Sequence, residues 1–149
     1  MENNPYYFNE KANELMEKKE YEKALEFYTK AISLNSEEAI FFHNTGVCLI
    51  SSGEYLRAIS LFEKALELKI FLEETKYYLI LCLYESRRYE EIFNYEVPEE
   101  NVNLKIESYI LLVKSAVKIK NHKLSKLYLN KLNLMGFNSQ ELELISKMI

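Results

Sequence analysis

Cys48, Cys82, His43 and His122 are the residues of this chain best suited to nucleophilic or metal chemistry, and their spacing argues against both. The two cysteines lie 34 residues apart, each among apolar neighbours, which predicts two buried core thiols rather than a redox pair. The two histidines are far apart, with no cysteine or carboxylate at metal-ligand spacing, so no metal site is expected. A glycine-rich phosphate loop, a nucleophile elbow and an HExxH motif are all missing from the sequence, and no cofactor or catalytic residue is expected. The many glutamates fall on exposed helix faces, where a solvated surface outweighs paired catalytic carboxylates. What remains is the chemistry of recognition. Tyr77, Tyr78 and Tyr84, at helical spacing, form an amphipathic platform of apolar rings with hydroxyl handles.

The elements that carry these residues are set by a repeat of 34 residues. Glu22 to Ile32 recurs as Leu56 to Leu66, and seven positions shift by 34 without a gap: Phe8 to Phe42, Ala12 to Gly46, Leu15 to Leu49, Tyr21 to Tyr55, Ala24 to Ala58, Tyr28 to Phe62 and Ala31 to Ala65. A fixed period of this size marks a stack of similar supersecondary units. Within each unit apolar residues return at helical spacing: Phe8, Ala12, Leu15 and Met16, then Tyr21, Ala24, Leu25, Tyr28, Ala31 and Ile32. The spacing predicts helices over about 6–18, 21–34, 39–52 and 55–68. The small residues let paired helices approach, and the aromatics fill the wedges between them.

This pattern resembles the tetratricopeptide repeat family closely over residues 5–72. The resemblance implies an all-α fold, a right-handed α-solenoid of antiparallel helix hairpins. About three to four units are expected, plus a C-terminal capping helix. Residues 1–149 form one domain in this reading, with units at about 5–38, 39–72, 73–101 (truncated) and 102–136 (degenerate) and the cap at 138–149. The third unit departs from the pattern where Ile80 and Ile92 replace small residues, and Pro98 cuts its second helix short. In the fourth, Leu112, Ala116, Ile119, Leu124, Leu127 and Tyr128 are expected inward; Gly136 stops the helix, and Asn138 with Glu141 caps the next. The chain thus reads as a self-capped solenoid of nine short helices.

In solenoids of this family the first helix of each unit lines a concave groove in which peptides lie. Carried onto this sequence, the resemblance places Tyr6, Asn9, Asn13, His43, Asn44, Val47, Tyr77, Tyr78, Leu81 and Tyr84 at that peptide-binding surface. One subclass clamps the C-terminal carboxylate of chaperone tails with asparagines and three cations. Asn13 and Asn44 match its asparagines, but Asn9, Glu74 and Tyr78 stand where the cations belong, so the clamp is not carried over. The implied function is a non-enzymatic protein–protein interaction module, scaffold or chaperone-like, similar to the small helical-repeat chaperones of bacterial secretion systems. The alternative is a structural module that stacks end to end, with itself or in a larger assembly.

Charge adds a second surface. Residues 105–131 hold seven lysines against Glu107 alone, a net +6 within a chain of net −4. Lys114, Lys118, Lys123 and Lys126 are the expected docking patch for an acidic partner or for the acidic end of another copy. Nucleic acid is not expected, because the chain is acidic overall and has no aromatic–basic interleaving. The longest apolar run, Tyr77 to Tyr84, is far short of a membrane span, and no basic segment followed by an apolar run opens the chain. With only two cysteines, a reducing, cytoplasmic location is expected.

Overall fold

Five alanines at the recurring small positions, Ala12, Ala24, Ala31, Ala58 and Ala65, have no exposed surface at all. The helices around them can therefore approach closely, and that close approach organises the fold. The computed structural model describes residues 3–69 and 72–149. The first hairpin pairs α1 (Pro5–Glu17) with α2 (Tyr21–Leu34), and the second pairs α3 (Ala39–Ser51) with α4 (Tyr55–Leu68). A third unit opens with α5 (Glu73–Glu85), followed by a 3₁₀ turn (Glu91–Asn94). The fourth hairpin pairs α6 (Val102–Lys118) with α7 (His122–Leu134), and α8 (Gln140–Met148) closes the chain. Each helix from α1 to α5 packs on the next, α5 packs on α6, and α8 packs on α7. This is the expected solenoid of helix hairpins. The join between the second and third units, at residues 70–71, lies outside the described residues.

The repeat continues in the backbone further than in the side chains. Lys19, Gly53 and Arg87, spaced by 34, and Lys120, 33 further on, all take positive φ between 57° and 78° at the turn inside a hairpin. At each turn the next residue donates its N–H to a carbonyl five residues back: Glu20 to Leu15, Glu54 to Leu49, Arg88 to Leu83 and Asn121 to Ala116, all at 2.8–2.9 Å. These are helix stops of the Schellman type. Only the second unit uses glycine, so three residues with side chains hold a conformation that favours glycine.

The third unit lacks its second helix for a legible reason. Adding 34 to the buried residues Ala58, Phe62 and Ala65 of α4 gives Ile92, Glu96 and Glu99. A helix here would turn two carboxylates into the core. Residues 86–101 instead form a strap, with Ile92 and Pro98 fully buried. The Glu73 carboxylate anchors its return, accepting from the backbone N–H groups of Glu100 at 2.6 Å and Asn101 at 3.3 Å. Partial burial pushes the Glu73 carboxyl up, but these donors and Lys76 outweigh it and hold it below its ordinary value. With no helix to approach, Ile80 and Ile92 occupy space that small residues leave elsewhere.

Two local expectations are corrected. The N-cap of α8 is Ser139, not Asn138: Ser139 is extended, and its Oγ accepts from the Leu142 N–H at 3.2 Å. Asn138 accepts from the Ser139 N–H and donates to Glu143. Leu127 is 45% exposed rather than inward, because α7 turns Ser125, Leu129 and Leu132 to the core. Gly136 stops α7 as expected, with φ of 74°. The Phe137 N–H then closes on the Leu132 carbonyl at 3.0 Å.

Candidate functional site

The first helices of the three leading units, α1, α3 and α5, are joined side by side by single hydrogen bonds. Asn44 Nδ2 on α3 donates to Asn9 Oδ1 on α1 at 3.0 Å. His43 Nδ1 on α3 meets Thr75 Oγ1 on α5 at 2.7 Å. Asn9 and His43 are equivalent residues of successive repeats, and both are buried, so each serves as a strut between neighbouring helices. Burial holds the His43 imidazole below its ordinary pKa, opposed by the nearby Glu74 carboxylate. The neutral ring is the form that belongs there.

The other predicted groove residues keep part of their surface open to solvent, Tyr6 the most. Asn13 accepts from the Tyr28 hydroxyl at 2.5 Å, so α2 fixes its carbonyl and sets the direction of its amide. Val47, Asn44 and Leu81 are partly buried on α3 and α5. Tyr6 is 48% exposed; its ring packs edge-on against Phe41, and its hydroxyl donates to Glu38 at 2.7 Å, which ties it to the start of α3.

The three α5 tyrosines are all partly buried, each against other aromatic rings. Tyr78 stacks on Phe62 with centroids 5.7 Å apart and lies 5.8 Å from the His43 ring, so one face supports the helix contact. Tyr77 leans on Tyr78, and Tyr84 packs edge-on against Tyr89. All three phenols are pushed up, chiefly by burial, and for Tyr77 and Tyr78 also by the carboxylates of Glu107 and Glu74. They stay neutral at physiological pH, with hydroxyls able to donate to a ligand. Aromatic faces edged with hydroxyls, beside aligned asparagine amides, suit a peptide segment: rings for side chains, amides for main chain.

The cysteines sit where the repeat puts them. Both are free and buried; Cys48 is pushed up to about 11 and Cys82 to about 12, in each case chiefly by burial. Thiols so held are inert. In the basic region the four predicted lysines are not alike. Lys114 is paired with Glu141 of α8 at 3.1 Å, whereas Lys118, Lys123 and Lys126 are exposed with no carboxylate within 4.0 Å among the described residues. The network of struts was missed from sequence, because Asn9 and His43 read as groove residues. Their 34-residue equivalence carries the signal, since one position repeated in a stack meets the same neighbour each time.

A stack of helix hairpins, with small residues at the crossings of the first two units and a row of first helices side by side, defines a helical-repeat solenoid. Residues 5–38 and 39–69 each match the tetratricopeptide repeat, and these two units belong to that family. Over 60 residues it is 33% identical to the mitochondrial import receptor subunit TOM70 of Saccharomyces cerevisiae; the match covers 40% of this chain and 10% of that receptor's length. Among solved structures, pilF of Pseudomonas aeruginosa superposes with a TM-score of 0.66 at 21% identity, covering 98% of this chain and 67% of that one. The Arabidopsis OM64 TPR domain gives 0.57 at 20% identity, covering 86% and 93%. The TPR2B domain of yeast Sti1, in complex with pHsp70, gives 0.57 at 16% identity, covering 83% and 92%. At these identities the likeness to solved structures is one of fold.

Proposed function

We propose that this protein is a non-enzymatic interaction module that holds an extended or helical peptide of a partner protein against α1, α3 and α5. The observation that carries the reading is the inner row itself: Asn13, Asn44, Val47, Tyr77, Leu81 and Tyr84 are all partly open on three helices fixed to one another by struts. A surface that rigid loses little conformational freedom when a ligand binds. The Sti1 domain, whose structure is a complex with pHsp70, supports a peptide ligand for this fold. Recognition here runs through aromatic anchors, since Asn9, Glu74 and Tyr78 stand where a carboxylate clamp needs cations. Intracellular, chaperone-like scaffolding fits this reading.

The test uses a partner captured with the full chain as bait and reduced to its binding peptide. Calorimetric titration should show that Tyr77→Ala weakens binding by about 2 kcal/mol, as loss of an interface anchor does. Tyr77 is chosen over Tyr78 because Tyr78 also braces Phe62. Amidating the peptide's C-terminal carboxylate should change little. Strong loss on amidation with none on Tyr77→Ala would overturn the reading.

A further inference from the structure

We propose that copies of this chain associate head to tail, the exposed face of α7 in one copy docking into the cleft that the missing third-unit helix leaves in the next. The cleft has a volume of about 350 Å³ and lies between α4, α5 and the strap. Leu66, Leu79 and Tyr95 give it an apolar floor; Glu63, Glu67 and Glu96 stand around it. Lys76 is drawn to Glu73 and Glu96, and Lys64 lies 3.5 Å from Glu67. Glu63 accepts from the Tyr95 hydroxyl at 3.5 Å and has no cation within 4.0 Å among the described residues. The strap behind it adds further negative charge, with five glutamates against two arginines over residues 86–101. The cleft is therefore an apolar slot in an acidic field, open where a regular repeat would seat a helix.

The chain carries a helix face of the complementary kind. On α7, Lys123, Lys126 and Leu127 point away from the core, and Leu127 is 45% exposed. Among the described residues, five of the seven lysines in 105–131 have no carboxylate within 4.0 Å; only Lys105 and Lys114 are paired. Docked in the cleft, Leu127 would meet Leu66 and Tyr95, and the two lysines would meet Glu63 and Glu67. Within one copy α7 packs mainly on α6 and α8, with Tyr128 stacked on Phe93, and no α7 residue lines the cleft. The two surfaces differ, so the contact is heterologous and propagates into open chains rather than closing as a pair. Of α5 it uses Lys76 and Leu79 and none of the residues named above for peptide binding, so it does not rest on that reading.

Sedimentation or light scattering of the full chain up to about 1 mM protein tests this. At low salt the average mass should rise above 17.7 kDa with concentration, and the rise should shrink at about 1 M salt, where the Debye length is near 3 Å. Glu63→Lys with Glu67→Lys, and separately Lys123→Glu with Lys126→Glu, should each give monomers. An equimolar mixture of the two variants should associate again, since each basic cleft meets an acidic α7. All four sites are on the surface, and circular dichroism checks the fold. A wild type that stays at 17.7 kDa throughout, variants that still associate alone, or a mixture that stays monomeric would each overturn the proposal.

Discussion

Gly46 shows how finely the hairpin crossings are set: a Cβ placed there would lie 2.6 Å from the fully buried Phe62 ring. Ala24 and Ala58 occupy the opposite side of equivalent crossings with no exposed surface. Ala24→Leu and Ala58→Leu should each destabilise by about 1–3 kcal/mol, because a well-packed contact must open to admit three more carbons. Thermal unfolding of both variants at the wild-type midpoint would refute that assignment. His43 yields a prediction with a sign. Its folded pKa lies below the ordinary 6.5, so protonation favours the unfolded chain. Its contribution is complete above pH 6.5 and is lost as pH falls below that value. The groups facing it are Thr75, Glu74, Phe62 and Tyr78. Denaturant titrations between pH 7 and pH 5 should show wild type losing stability faster than His43→Gln; parallel curves would contradict the account.

At the scale of the element, the helices of the first two units were legible almost to the residue, because Ala12, Ala24, Tyr28 and Ala31 and their partners at +34 leave one packing solution. The third unit was legible in part. Pro98 announces the end of a helix, but the fuller reason is Glu96 and Glu99 at positions buried in α4, which emerges only when the frame is extended past the obvious repeat. The fourth unit hides its frame because its turn is one residue early, and its identity lies in backbone geometry at Lys120. The closing helix was legible as an amphipathic stripe. Leu142 is buried, Ile145 and Ile149 pack on the same core, and Glu141 reaches Lys114. A chain ending at Phe137 should therefore have a lower unfolding midpoint and bare the apolar face of α7. Equal stability of the shortened and full chains, compared by calorimetry, would show that α8 is not a lid.

For the whole molecule, one pattern explains both what the sequence discloses and what it withholds. A period of 34 fixes the stack and makes Asn13, Val47 and Leu81 equivalent positions, and the family resemblance is what adds Asn44 and assigns them to a peptide-binding surface. Periodicity does not say how far a side chain on that row sinks between its neighbours. Asn9 and His43 sink because a partner on the adjacent helix meets them, and Tyr78 because Phe62 lies beneath it. The central claim is that this inner row is where a partner peptide lies. Backbone NMR of the labelled full chain, titrated with the captured partner peptide, tests it most directly. The account predicts shift changes concentrated at Asn13, Asn44, Val47, Tyr77, Leu81 and Tyr84, with α2, α4 and α7 little changed. Changes confined to α2, α4 or α7, with the inner row unmoved, would contradict it.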